Sequence, residues 1–384
     1  MKILVFSPYY PPHIGGLESH SDEFNKHLSK KGGSITVFTP HLPETSPKSE
    51  MLYGGVSVIR FPAFELIHNY PVPKFWKKEF WEIWHKLLSE KEYDLVISRT
   101  RFFFPSLMAG SFARKKKLRW VHIEHGSDFA QFKSKTVTKI GEFYDRTFGK
   151  FILQHADTLI ANSQASCNFV HRLAKNSSCQ VIYRGVESKD LILLKPDEAL
   201  RTMTKGKIII GFVGRLISGK GVSDLLYAFA ALKRNDCVCV IVGDGPEKAS
   251  LEKLAEKLQI ETSVYFFGHK SFREAMSLLK AFDIFVNPSY TEGIPTSVIE
   301  AAFCQKAIIA TIVGGTKEII NGDGDGFLVE PKNIPQLTEK LSLFASDSNV
   351  RITSGAKAFE AVKDRFDWEK TAEEYLKIFN SKNV

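Results

Sequence analysis

Two acidic side chains beyond one apolar run carry the strongest chemical signal in this chain. The segment Thr291-Glu292-Gly293-Ile294-Pro295-Thr296-Ser297-Val298-Ile299-Glu300 follows Asp283-Ile284-Phe285-Val286-Asn287 and a Pro288-Ser289 turn. Pro295 suits the first turn of a helix, where its missing N–H is not needed. Glu292 then falls in a loop at the carboxyl end of a strand, where open α/β sheets bind ligands. Glu300 falls on the helix, roughly 12 Å further along at a helical rise. That is too far for two acids gripping one bond at the ~5 Å separation of retaining hydrolases. The pair suits two ends of a long polar ligand, since carboxylates accept hydrogen bonds from paired hydroxyls such as those of a ribose or a hexose. Taken singly, each reads more readily as a helix-start acid favoured by the dipole or as a surface acid.

A basic loop adds the complementary charge. Gly214-Arg215-Leu216-Ile217-Ser218-Gly219-Lys220-Gly221 follows a second apolar run and opens a helical pattern. Free N–H groups and the dipole make a helix N-terminus suit phosphate. Arg215 can grip phosphate with two parallel hydrogen bonds, and Lys220 acts as a point charge. Gly15-Gly16 occupies the matching place near the start of the chain. Each loop read alone is equally an ordinary turn between strand and helix. Neither has the Gly-x-Gly-x-x-Gly spacing of a dinucleotide site, which argues against NAD(P).

These loops need strands and helices to hold them. Short apolar runs alternate with helical patterns along most of the 384 residues, the signature of β-α-β units and a parallel sheet. Strands are expected at 3–6, 35–39, 94–98, 120–123, 158–161 and 180–183, and again at 208–213, 238–242, 264–267, 284–287, 307–310 and 326–329. Residues 188 to 206 carry no long pattern and read as a linker. The expected organisation is therefore an N-terminal Rossmann-like domain over 1–190 and a second over 206–365. A C-terminal helix at about 366–384 is expected to pack back on the first. The five cysteines resemble neither a disulfide framework nor a zinc site. Cys237 and Cys239 share one face of a strand and read as core. No apolar stretch is long enough to span a membrane. The start reads as a buried strand, not a secretory signal. A reducing cytoplasmic setting is expected. The net charge of +9 attracts anions in general without choosing among them.

The ordered set of motifs resembles the large glycosyltransferase family four, with the GT-B fold, over nearly the whole chain. It runs from Ser7-Pro8-Tyr9-Tyr10-Pro11-Pro12 and Gly15-Gly16-Leu17-Glu18, through Tyr183-Arg184-Gly185-Val186-Glu187, to Val213-Gly214-Arg215-Leu216 and Lys220-Gly221. Val242-Gly243-Asp244-Gly245-Pro246, Phe267-Gly268-His269 and Glu292-Gly293 with Glu300 complete it. The resemblance implies two Rossmann-like domains facing each other across a cleft. It implies that Gly16 faces the cleft and that Arg215 and Lys220 bind a donor diphosphate. Gly268-His269 would lie by the base, Glu300 on the ribose and Glu292 on the transferred sugar. His125 matches the family's cleft histidine, although a histidine after a strand is by itself more often structural. Two departures stand out. Arg184 replaces a small or amide residue, and Ile294 and Thr296 replace the more usual residues after Glu292-Gly293.

The implied activity is retaining transfer of a hexose from a UDP- or GDP-sugar to a hydroxyl of a glycan or lipid-linked acceptor. Cell-surface polysaccharide or glycoconjugate synthesis is the implied setting. No cofactor is expected beyond the donor. No Asp-x-Asp pair is recognised as a metal site, so the reaction is expected to run without metal. An epimerase on the same fold and a non-catalytic nucleotide-sugar-binding protein are the alternatives. No nucleic-acid-binding module is recognised, and the oligomeric state is not legible. Trp76, Phe80, Ile83, Trp84 and Leu87 follow helical spacing beside Lys74, Lys77, Lys78 and Lys86. That stripe is expected to pack on the N-terminal sheet, with peripheral membrane contact as the alternative.

Overall fold

The structure, a computed structural model, describes residues 1–13, 15–67, 70–90, 92–130, 134–175 and 177–381. The chain forms two compact units, Met1–Arg184 with Trp368–Val384, and Gly185–Asp367. The division falls at Arg184/Gly185, ahead of the expected boundary at 190. The expected linker at 188–206 is instead two short helices of the second unit, Ser188–Leu193 and Glu198–Met203. Their burial is sparse and local. Leu191 and Leu200 go inside, and Lys280 Nζ donates to the carbonyls of Ile192 and Leu194. Six-residue helices held in this way leave no periodic pattern to read.

In the first unit eight strands form one sheet, in the order Cys179–Val181, Thr158–Ala161, Arg119–Glu124, Leu95–Arg99, Lys2–Phe6, Ser34–Pro40, Val56–Phe61 and Ser49–Leu52. All neighbours pair in parallel except the last two. The central strands are apolar on both faces because helices cover both. Phe24, Leu28, Trp368, Ala372, Tyr375 and Phe379 pack on one face. Phe80, Trp84, Leu87, Met108 and Phe112 pack on the other. The helix Trp368–Asn380 thus belongs to this unit, against Gly16–Lys30.

The aromatic stripe divides accordingly. Phe80, Trp84 and Leu87 are buried in the core, as the packing reading requires, while Trp76 and Trp81 are exposed. Among the described residues no helix is long and apolar enough to cross a membrane.

The second unit has a six-stranded parallel sheet in the order Val264–Gly268, Cys237–Val242, Ile208–Val213, Ile284–Asn287, Ala307–Thr311, Phe327–Val329. Numbered along the chain this is 3-2-1-4-5-6, the doubly wound order. Cys237 and Cys239 are fully buried in its core.

Candidate active site

In a doubly wound sheet the strand order reverses between the first and fourth strands. The loops leaving those two strands part there and open a crevice. In the second unit they are the basic loop after Ile208–Val213 and the acidic loop after Ile284–Asn287. Chain reversal therefore brings Lys220 to Glu292, and Lys220 Nζ lies 2.6 Å from Glu292 Oε1. The Ser289 hydroxyl is 2.7 Å from both Glu292 Oε1 and Asn287 Oδ1. It has one proton and donates to one of them at a time. Sequence reasoning missed Ser289 and Asn287. Their only signal was position, at the end of the strand feeding the loop.

Backbone contacts fix the two loops to each other. Tyr290 N–H donates to the Gly219 carbonyl at 2.8 Å. Gly221 has φ +62°, and a Cβ there would stand 2.1 Å from the Pro288 carbonyl oxygen. Gly314, at φ +51°, presses on the Glu292 carbonyl in the same way, with 1.9 Å to a built Cβ. Only glycine permits both the left-handed backbone and that approach.

Arg215 leaves the same loop part-exposed and has no hydrogen-bond or ion-pair partner among the described residues. Gly214 takes its N–H to the Val242 carbonyl, which docks the basic loop on the neighbouring strand. Gly243 N–H in turn reaches the Gly268 carbonyl, which sets exposed His269 beyond the next strand end. Gly293 accepts from Gly315 N–H at 2.7 Å. Ile294 and Pro295 are buried, and Pro295 caps the helix Thr296–Phe303 that carries Glu300. Thr296 and Glu300 are both part-exposed.

One Asp-x-Asp spacing does occur, at Asp323-Gly324-Asp325, and the sequence reading passed over it. Asp325 is buried and accepts the N–H groups of Asn321 and Gly322. It closes its own turn.

In the first unit the reversal falls between Lys2–Phe6 and Leu95–Arg99. The loop after the first of these leads to Gly15, which caps Gly16–Lys30. A Cβ at Gly16 would meet no protein atom within 4 Å, so the space there is open. Arg184 donates to the Gly16 carbonyl at 3.3 Å.

His125 stands just past the strand Arg119–Glu124. Its ring lies edge-on to His20 at 4.6 Å. Burial, helped by the Arg99 charge, pushes its pKa down to about 3, so the ring is neutral. The Asn162 amide donates to Nδ1 at 3.4 Å, which assigns the proton to Nε2. That Nε2–H is buried and has no acceptor among the described residues.

Sequence reasoning missed what holds His125. Glu124 Oε1 accepts the N–H groups of His125 at 2.9 Å and Gly126 at 2.7 Å. The Arg101 guanidinium lies 3.0 Å from Glu124 and 2.8 Å from Asp145, with all three buried. Burial alone would push the Glu124 carboxyl up. Arg101, His122 and the Gly126 N–H outweigh it and hold the group well below its usual range. Burial does prevail at Asp145, which is pushed up to about 6 despite Arg101.

A pH test follows from His125. A ring that protonates near 3 in the fold and near 6.5 in the open chain makes the unfolded state take up protons first. Its contribution to stability is complete above about 6.5 and is lost as pH falls toward 3. Urea melts at pH 7 and pH 5 should show a smaller acid loss in His125→Ala than in the parent. In kcat/KM against pH, neither protein should show an ionisation between 5.5 and 8 that the other lacks. A limb near 6.5 that vanishes with the substitution would assign a charged His125 instead.

Comparison with known proteins agrees with this architecture. Residues 14–190 match Glycosyltransferase Family 4, and 199–360 match Glycosyl transferases group 1. An uncharacterised glycosyltransferase of Methanocaldococcus jannaschii is 35% identical, covering 99% of this chain and 98% of its own. The N-acetyl-alpha-D-glucosaminyl L-malate synthase of Bacillus anthracis is 24% identical over 99% of this chain and 97% of its own. Among solved structures, sucrose-phosphate synthase from Thermosynechococcus elongatus aligns with a TM-score of 0.82 at 21% identity, covering 98% of each chain. Anabaena HepE in complex with UDP-glucose aligns at 0.76 and 19% identity, covering 100% of each. The chain belongs to the group 1, family 4 glycosyltransferases. It is a glycosyltransferase with the GT-B fold.

Proposed function

We propose that this enzyme transfers a hexose, with retention and without metal, from a UDP- or GDP-sugar to a hydroxyl of a glycan or lipid-linked acceptor. The observation that carries the reading is the Lys220–Glu292 contact at the reversal point of the second sheet, beside the unpartnered Arg215. A diphosphate between Arg215 and Lys220 receives two positive charges and the N–H groups of the helix Val222–Leu232. Glu300 accepts the ribose hydroxyls, and His269 lies by the base. Glu292, with Ile294 and Thr296 beside it, takes the hydroxyls of the transferred sugar. The His125 Nε2–H donates to that sugar. In the reaction the bond from the anomeric carbon to the phosphate oxygen breaks, and its electron pair leaves with the diphosphate. The acceptor oxygen bonds to the anomeric carbon and loses its proton. Preorganised cations stabilise the growing phosphate charge, which is the largest service a protein can render here.

The neighbour solved with UDP-glucose supports a uridine donor. The turn-closing role of Asp325 leaves that carboxylate engaged within its own loop and so favours metal independence.

A thermal-shift screen against UDP, GDP, ADP and CMP, with and without EDTA, tests the reading. One diphosphate should raise the melting temperature, and EDTA should not change the shift. Ligand at 100 times its dissociation constant stabilises by about 2.7 kcal/mol, well within detection. No shift at millimolar nucleotide would overturn the donor site.

A further inference from the structure

The helix Lys135–Tyr144 does not end where its α-hydrogen bonding ends. It passes through a π turn, Asp145–Gly149, into Lys150–His155. The inner face is clear: Gly141, Asp145, Gly149, Ile152 and Leu153 are buried. The outer face is unusual. Ile140 is 63% exposed, Phe143 67%, Phe148 51% and Phe151 39%. Residues five apart diverge on an α-helix, but a π turn closes over five, so Phe143 and Phe148 are drawn toward one face. Large aromatic side chains gathered in water mark a surface that meets a partner.

The surroundings state the partner's charge. On the same stretch of chain, Arg146, Lys150 and Gln154 line a hollow of about 420 Å³ together with Arg172, Leu173 and Lys175. Arg146 pairs with Glu142 and Arg172 with Asp128. Lys135, Lys139, Lys150 and Lys175 are exposed and form no ion pair among the described residues. Exposed aromatic rings ringed by long cationic side chains fit a bilayer interface, where rings enter the acyl boundary and the cations meet headgroups. An acidic protein would satisfy the lysines and leave the four apolar side chains in water.

We propose that the outer face of residues 135–155 docks the first unit on an anionic lipid bilayer, with phosphodiester headgroups seated in the Arg146–Lys150–Arg172–Lys175 hollow. The proposal does not depend on the donor assignment.

Vesicle flotation of the full chain tests it, using phosphatidylcholine alone and phosphatidylcholine with 30 mol % phosphatidylglycerol (a probe composition of ~30%). The protein should float with the anionic vesicles and not with the neutral ones, and 0.5 M salt (about a 4 Å screening length) should release most of it. Lys150→Glu with Lys175→Glu, and separately Phe143→Ser with Phe148→Ser, should each lower the bound fraction at least tenfold at an unchanged melting temperature. Hydrogen exchange on the unsubstituted protein gives an arm that no folding defect can spoil. Anionic vesicles should protect 135–155 selectively, and millimolar inorganic phosphate should not. Equal binding to both vesicle types, undiminished binding by both variants, or protection by phosphate alone would overturn the proposal.

Discussion

Replacing Lys220 with Met should cost about 10²–10³-fold in transfer rate, the loss typical of one preorganised charge-stabilising donor. Nucleotide-induced thermal stabilisation should weaken along with it, because the ammonium is assigned to the diphosphate in both the bound and the reacting states. The reason lies in geometry. Lys220 Nζ sits 2.6 Å from Glu292 Oε1, with the lysine side chain about a quarter exposed and the glutamate a tenth. The pair holds the cation at the mouth of its loop before any ligand arrives, so little reorganisation is left for the reaction. Removing the ammonium also takes from Glu292 the cation that lies 2.6 Å from its Oε1.

Glu292→Gln separates the two roles. It should lower transfer by a comparable factor yet weaken UDP or GDP binding much less than Lys220→Met does, since the ammonium remains and a nucleoside diphosphate lacks the sugar that Glu292 is assigned to hold. The comparison is a kcat against dissociation-constant split for the two variants. If Glu292→Gln retained near-parental transfer, the sugar-holding role would fall. If Lys220→Met bound nucleotide as before, the diphosphate role would fall.

How much of this was legible beforehand depended on range. Strands such as Ile208–Val213 and Cys237–Val242 were visible because a strand covered on both faces is continuously apolar. The loops after them were visible because glycine and charge at strand ends are local features. Other features were not visible, among them the strands Val56–Phe61, Ala63–Ile67 and Tyr70–Pro73. The 188–206 helices are too short for a period and are anchored by Lys280 from elsewhere in the unit. The Ser49–Leu52 strand alternates weakly at an antiparallel edge, with partly exposed residues that look like loop. The Glu124–Arg101–Asp145 cluster joins residues 21 to 44 positions apart, and no single-sequence pattern marks such a contact. Glu124 stood one residue from His125 and was passed over, because a carboxylate at a strand end reads as a solvent residue until its partners are known.

That cluster makes the other large prediction. Arg101→Met should destabilise the first unit by about 3–5 kcal/mol, because it leaves two buried carboxylates without their shared cation. For a unit of this size that corresponds to a fall in melting temperature on the order of 10 °C. The sign with pH can be worked out. Glu124 is held below its unfolded pKa, so its stabilisation is complete above the ordinary glutamate range and fades as pH falls toward the folded value. Without Arg101 that depression disappears, and the variant should lose the steep acid limb that the parent shows. The mutation should also damage catalysis through His125, since Glu124 fixes the N–H groups of His125 and Gly126 and would be free to protonate or turn away. Adding Glu124→Gln and Asp145→Asn to Arg101→Met should recover a large part of the stability, because neutral amides leave no uncompensated charge. It should not recover the full rate, because a glutamine at 124 sets an amide NH2 against the Arg101 backbone N–H that Glu124 Oε2 accepts, and so misaims the oxygen held on His125 and Gly126. Denaturant melts and transfer rates on the single and triple variants decide the matter. Additive losses in stability would mean that the three side chains are not coupled, and a recovered rate would mean that Glu124 does not position His125.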